Sequence, residues 1–358
     1  GQWDDGMVPH ILFHRTDPGY FPGPDVWQGR GPIPSSGITQ PPVAASFMAK
    51  MLSMHPEGEQ RARILWPRLK SWHEWFIKWR LDKGAVCVTH PWEAGRDNAP
   101  DWDRAMRLID VSEIGDYTRR DTSHVDPSMR PTKYDYDRYL KLVQLGVSVS
   151  WDHEALKKIN PFRVADPTMT FTLLRANRDL RDMGKVFGED LSEIDNWITT
   201  LEQGATTLWN EDIQGYDSRN ALTGGFNGIL SNASALCWYA GLNNEAARPS
   251  IERMLAAATY GLASFDPEAD GFEPLRYWRG PTWPVMNYLV GSGMEEMGLY
   301  DLAGRIKNDT ALLMQNNGFA EYYDPFSGRP AGGGSFSWTA AVWLGWAGDS
   351  FVTEKGVA

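Results

Sequence analysis

The chain has 358 residues, enough for one large domain or two ordinary ones, and its 42% hydrophobic fraction supports a sizeable core. A net charge of −11, a pI near 5.2 and the lack of a basic block argue against nucleic acid and anionic membrane as main partners. No apolar run approaches a membrane span, and no signal peptide is visible.

In chain order, residues 1–39 are rich in Gly and Pro and read as loop. Pro41-Pro42 opens a helical stretch from Val43 to Met54, since Pro is tolerated in a first turn. Apolar positions at 65, 69, 72, 75/76 and 79 predict a helix over 62–80 with one buried face, kinked or started late by Pro67. Residues 81–133 read as a long irregular, acid-rich excursion, which in a compact domain is usually functional. Helix resumes over 134–147.

A rhythm follows. Helical stretches open near Asp166, Phe226, Trp283 and Phe336, roughly sixty residues apart, each after a polar or Gly-rich loop. Amphipathic stretches near 191–209, 247–262 and 298–314 alternate with them. Apolar helices alternating with amphipathic ones predict an inner ring wrapped by an outer ring. The expectation is an all-α toroid forming a single catalytic domain over 1–358, with no substantial sheet. Counting the stretch near residue 40, five inner helices are predicted. A six-fold ring needs one more pair, expected before Gly1.

In such a toroid, the loops that begin the inner helices gather at one end. Gln40, Trp92, Asp97, Asp166, Asn227, Trp278, Trp283, Glu321 and Trp338 are therefore expected to face one pocket. Asp97 lies in Trp92-Glu93-Ala94-Gly95-Arg96-Asp97-Asn98-Ala99-Pro100, broken by Gly95 and Pro100. An acid between aromatic walls suits a sugar site: rings stack on sugar faces and the carboxyl handles protons. Glu321 follows Phe319 and precedes two tyrosines, neighbours that desolvate a carboxyl and raise its pKa. Two carboxyls across a pocket are what glycoside hydrolysis needs. A separation of roughly 6.5–9.5 Å implies inversion and roughly 5–5.5 Å retention. The 17 Trp also suit carbohydrate contact. Cys87 and Cys237, beside apolar neighbours, read as buried free thiols in a reducing cytoplasm. His10-x-x-x-His14 has a metal-ligand spacing, but Pro9 and nearby glycines argue against the helix it needs; neither metal nor cofactor is expected. His124 is a candidate to bond substrate or orient Asp121.

The motifs resemble those of glycoside hydrolase family 63 and its relatives. Trp92 to Pro100 looks like the family's acid motif. Gln40-Pro41-Pro42 matches a Gln-Pro-Pro shared with trehalases. Tyr277-Trp278-Arg279-Gly280-Pro281-Thr282-Trp283 matches its Tyr-Trp-Arg-Gly-Pro-x-Trp stretch, and Glu321 to Gly328 followed by Phe336 to Ala340 its C-terminal motif. The resemblance implies an (α/α)6 barrel and an inverting, exo-acting α-glycosidase, with Asp97 as general acid and Glu321 as general base. It places Gln40, Trp92, Gly95, Tyr277, Trp278 and Trp283 around the substrate. The bacterial hydrolases of mannosylglycerate and glucosylglycerate look nearest. In those an Arg on the excursion holds the glycerate carboxylate, with a Tyr six residues on; Arg130 and Tyr136 fit. A guanidinium suits that task because its fork grips a carboxylate at two points.

The expected partner is thus a small α-glycoside, with a homo-oligomer compatible. Ala94 stands where the family has Ser. Gly332-Gly333-Gly334-Ser335 lacks the polar residue expected of glycerate-specific relatives, and a Trp-x-Trp-Asp motif near the first inner helix is absent. Two other readings remain at this point: a trehalase-like or debranching oligosaccharide α-glucosidase, and a sugar-binding toroid without turnover.

Overall fold

The computed structural model describes residues 1–348 except Thr16, Pro18 and His124, so His124 lies outside the described residues. Its main helices are α1 (Ala44–Met54), α2 (Glu59–Trp79), α3 (Lys133–Ser148), α4 (Pro167–Phe187), α5 (Ser192–Thr206), α6 (Leu236–Tyr239), α7 (Arg248–Ala257), α8 (Pro284–Glu296), α9 (Tyr300–Asn317) and α10 (Ser337–Val342). They form two layers. In the inner layer α1 packs on α4, α4 on α6, α6 on α8 and α8 on α10. Outside these, α2 backs α1 and α4, α5 backs α4, and α9 backs α8.

The layering follows from composition. In α4 the segment Pro167–Leu174 is buried without interruption, so this helix has protein on every side. By contrast α2 buries Ala62, Trp66, Trp72, His73, Trp75 and Phe76 and exposes Ile64 and Leu65 to solvent. Small residues set the inner spacing. A Cβ at Gly293 of α8 would lie 2.3 Å from the Tyr239 backbone nitrogen, so these two helices meet backbone to backbone.

The inner helices α4, α8 and α10 begin after a residue in the extended conformation, and in α4 its side chain closes the first turn. Asp166 does this for α4, accepting from the Met169 amide at 3.0 Å, with Pro167 at the first position. Trp283 precedes Pro284 of α8 in the same extended geometry. Thr132 and Asp135 form a reciprocal capping box on α3.

Several expectations are corrected. No helix opens at Phe226: residues 226–235 are turns and isolated bridges, and α6 is a single turn starting at Leu236. Gly224, Gly225 and Gly228 hold the backbone out of helix there, two of them at positive φ. The 81–133 stretch is irregular only in part. It opens with a hairpin of β1 (Leu81–Asp82) and β2 (Ala85–Val88). β2 continues into β3 (Val164–Ala165) and then β6 (Arg219–Asn220), all antiparallel. Two further two-strand ladders pair β4 (Trp209–Asn210) with β5 (Gly215–Tyr216), and β7 (Tyr322–Tyr323) with β8 (Pro330–Ala331). These strands are two to four residues long, too short for period-two patterning to mark them. The 1–39 loop carries a turn of helix at Pro24–Trp27 and packs Trp3, Met7 and Trp27 into the core.

Trp75 sits at the centre of the core under α2. It is 1% exposed, meets Phe76 edge-on, and carries Arg80 over its ring at 4.4 Å. Trp75→Ala is expected to cost about 3–5 kcal/mol, read as a lower denaturation midpoint at unchanged m-value.

Candidate active site

Asp97 lies on a non-helical loop fixed on both sides by buried charge. On one side Glu93 accepts from the Thr89 amide (2.7 Å), Thr89 Oγ1 (3.0 Å) and Arg80 Nη2 (3.0 Å). Glu93 and Arg80 are 1% and 3% exposed, so each neutralises the other out of contact with water. On the other side Arg96 donates to Asp101 (2.7 Å), Ser231 (3.0 Å) and Thr168 (3.1 Å), with Asp166 3.7 Å away. Burial pushes the Asp166 carboxyl up to about 6, against the opposing pull of Arg96.

Asp166 and Asn227 therefore do not line the pocket. Both belong to the buried clasp beneath the loop, where the Asn227 amide donates to the Asp101 carbonyl. Trp338 is 52% exposed and packs on Phe336, apart from the other candidates. His10 stacks against Trp92 and lies 6.1 Å from the Trp27 ring.

The remaining candidates converge. Gly95, at φ +66°, lets the chain reverse between Trp92 and Asp97. A Cβ there would meet Gln40 Oε1 at 3.6 Å, so Gln40 lies against this turn, and its amide donates to the Trp92 carbonyl at 2.8 Å. Asn98 ties the loop to the next wall: its Oδ1 accepts from the Trp278 amide at 2.9 Å. Arg279 reinforces that join by gripping Asp103 with two bonds of 2.9 Å. Trp278 and Trp283 stack face to face, 3.9 Å between centroids and 5° between planes. Tyr277 and Tyr322 close on Trp283 from its other sides.

Glu321 stands on the β7 side, 7% exposed. Arg130 Nη2 donates to its Oε2 at 3.1 Å, and the guanidinium lies 4.7 Å over the Tyr277 ring. Gly332, at φ +72°, passes behind it; a Cβ there would fall 2.3 Å from Oε2. Tyr136 is 5% exposed, edge-on to Trp92 and stacked on Tyr117.

The electrostatics link the two acids. Burial raises Asp97 to about 7, Arg130 opposes that rise, and the charge of Glu321 adds to it. Burial also raises Glu321, again opposed by Arg130. The two carboxyls and one guanidinium thus share one pocket. Burial raises both carboxyls, and Arg130 opposes the rise at each.

Sequence reasoning missed several neighbours. Tyr139 donates from its hydroxyl to the Asp97 carbonyl at 2.7 Å. Tyr20 feels the Asp97 charge, which with burial raises its pKa. Arg119 covers the Tyr136 ring at 4.5 Å and pairs with Asp121 at 2.5 Å. Tyr139 lies three residues after Tyr136 on α3, so helical spacing carries that signal. Tyr20 and Arg119 sit in loops whose path no pattern specifies.

The model of the mannosylglycerate hydrolase MGH1-like glycoside hydrolase domain matches residues 1–339. The mannosylglycerate hydrolase of Thermus thermophilus is 41% identical over 358 residues, covering 97% of this chain and 86% of its own length. The glucosylglycerate hydrolase of Mycolicibacterium hassiacum is 30% identical, covering 97% and 84%. Among solved structures, the family 63 mannosylglycerate hydrolase of Thermus thermophilus in complex with Tris and D-glycerate superposes with a TM-score of 0.92 at 41% identity, over 96% of this chain and 86% of that one. The fold shared with these hydrolases is the (α/α)6 toroid.

Removing Glu93 would leave the Arg80 guanidinium buried and unpaired. Glu93→Ala is expected to destabilise the protein by about 3–5 kcal/mol, measured by denaturant unfolding. Arg80→Met with Glu93→Leu is expected to recover most of that loss, since the pair is removed together.

Proposed function

We propose, for a chain that belongs to the mannosylglycerate hydrolase MGH1-like family of glycoside hydrolases, that it is an inverting, exo-acting α-glycosidase of mannosylglycerate or glucosylglycerate. The observation that carries this reading is one coupled set of charges: Asp97 raised to about 7, Glu321 adding to that rise, and Arg130 bonded to Glu321 and opposing the rise of both.

In this reading the sugar lies between Trp92 and the stacked Trp278–Trp283 pair, with Gln40 and the bare Gly95 turn at its edge. Arg130, Tyr136 and Tyr277 face the glycerate. Asp97 is the general acid and Glu321 the general base. A water oxygen attacks the anomeric carbon from the Glu321 side, and its proton passes to the Glu321 carboxylate. The anomeric carbon–oxygen bond breaks, its electron pair goes to the glycerate oxygen, and that oxygen takes the Asp97 proton. The product sugar leaves as the β-anomer. Support for the substrate class comes from relatives that bear the names of glycerate-glycoside hydrolases, one of them crystallised with D-glycerate. The two cysteines are free and buried, which suits a reducing cytoplasm.

Proton NMR of fresh product tests the stereochemistry: the β-anomer should appear first, and an α-anomer formed first refutes inversion. The pH profile tests the acid. Asp97 must be protonated to work, so the rate should fall as pH rises through about 7. It should also fall at low pH as Glu321 takes up its proton. Asp97→Asn and Glu321→Gln are each expected to lower kcat by about 100-fold or more while the fold is kept, checked by circular dichroism. In Asp97→Asn the alkaline fall should be lost from the residual rate. A variant that keeps this fall assigns the acid elsewhere.

A further inference from the structure

Arg130, the group assigned above to the substrate carboxylate, is already engaged. Among the described residues, its one side-chain hydrogen bond goes to Glu321, Nη2 to Oε2 at 3.1 Å. The side chains are 15% and 8% exposed, so water screens the pair weakly. Arg130 Nε is buried without a hydrogen-bond partner, and the Tyr277 ring lies under the guanidinium.

Arg119 is the next cation along, and it is held by Asp121 through two bonds of 2.5 and 3.0 Å. The other groups acting on this pair include Asp97, Asp121 and the hydroxyls of Tyr277 and Tyr322. The backbone of Gly333 also favours the charged form of Glu321. No second cation acts on Glu321 among the described residues. The backbone under Arg130 is pinned: Tyr322 Oη donates to the Met129 carbonyl at 3.0 Å, and the α3 capping box begins at Thr132. A change of partner is therefore a side-chain movement, with no need for the loop to shift.

We propose that Arg130 is shared between Glu321 and the substrate, so that it restrains the base until the carboxylate of an anionic aglycone takes it over. This deepens the function reading and rests on it. A carboxylate that accepts a charge-assisted bond has one oxygen occupied and a weakened affinity for protons, both faults in a general base. A glycerate carboxylate competes for the same fork with two oxygens, and a two-point grip outweighs the single Nη2 contact. Once the guanidinium is neutralised by substrate, Glu321 regains its basicity beside the attacking water. A neutral aglycone leaves the ion pair intact. It is then penalised in the chemical step as well as in binding, which makes Arg130 a positioning and specificity-determining residue.

The test uses the wild-type protein and α-D-mannosyl or α-D-glucosyl fluoride, whose leaving group has no carboxylate. In that reaction the carbon–fluorine bond breaks with its electron pair on fluoride, water supplies the new carbon–oxygen bond, and the water proton goes to Glu321. Fluoride release is followed with added D-glycerate or, as control, glycerol. D-glycerate should accelerate release by roughly threefold to thirtyfold, and glycerol should not. Saturating D-glycerate should also move the acid limb of kcat/KM upward by about one pH unit. Arg130→Gln should hydrolyse the fluoride faster than wild type without D-glycerate, and should lose the response to it. If D-glycerate leaves the wild-type rate unchanged or slows it, Arg130 is a clamp only and the shared role is overturned. That wild-type result stands whether or not the variant folds. Hydrolysis of neither the fluorides nor glycerate glycosides would instead overturn the function reading itself.

Discussion

A carboxyl can donate a proton near neutral pH only if its backbone is held firmly while its own charge is left uncompensated. Those demands conflict in a loop, because the usual way to hold an acidic loop is to pair its acids. Here the conflict is resolved by dividing the work along the chain. Glu93 and Asp101 take the buried arginines, Arg80 and Arg96. Asp97, between them, receives a bond from Tyr139 at its backbone carbonyl, and no guanidinium bonds its carboxyl among the described residues, though Arg130 acts on it from a distance. The four acids in Glu93 to Asp103 thus have separate tasks. Two anchor the loop, Asp103 joins it to Arg279, and one remains chemically poised.

The toroid explains why those anchors are within reach. Arg80 ends α2, Asp166 and Thr168 begin α4, and Ser231 lies before α6, yet all touch the one loop from Glu93 to Asp103. Inner helices that start at the same end of a ring bring distant segments to one rim. The Trp278 wall arrives the same way, since Tyr277–Trp283 is the approach to α8, and Asn98 bonds to it through the backbone. Short strands at the same rim, β2, β3 and β7, and the bonds from Asn98 to Trp278 and from Arg279 to Asp103 then join these segments into one body.

This architecture also decides what the sequence discloses. Long outer helices such as α2 and α9 were legible because their burial follows the helical period, and the alternation of apolar with amphipathic stretches showed the two layers. The third inner helix was not legible at its start. Apolar, small residues from Ile229 to Ala235 look helical in composition, but the backbone there makes bridges to Phe265 and turns anchored by Asp217. Those are long-range bonds that no local pattern reports. The proximity of Asp97, Glu321 and Arg130 was anticipated from motif order, and the structure brings their charges within reach of one another. Asp166 and Asn227 were placed in the pocket by the same reasoning and belong beneath it. A helix-start loop has an upper and a lower face, and sequence position does not distinguish them.

The Arg130–Glu321 pair marks the limit of reading one residue at a time. An arginine on an irregular stretch and a glutamate between aromatics each suggest a role in isolation: a clamp and a base. Placing them 3.1 Å apart makes the roles interdependent, because one guanidinium cannot fully neutralise two carboxylates at once. Asp121 is taken up by Arg119, and no cation other than Arg130 acts on Glu321 among the described residues, so an anionic aglycone at Arg130 would compete directly with Glu321. Under the proposed function, an anion that takes Arg130 away would raise the proton affinity of both carboxyls, because Arg130 opposes the rise at each. In that reading the charge that makes the substrate costly to bury also sets the proposed acid and base, and specificity for an anion becomes part of the chemistry.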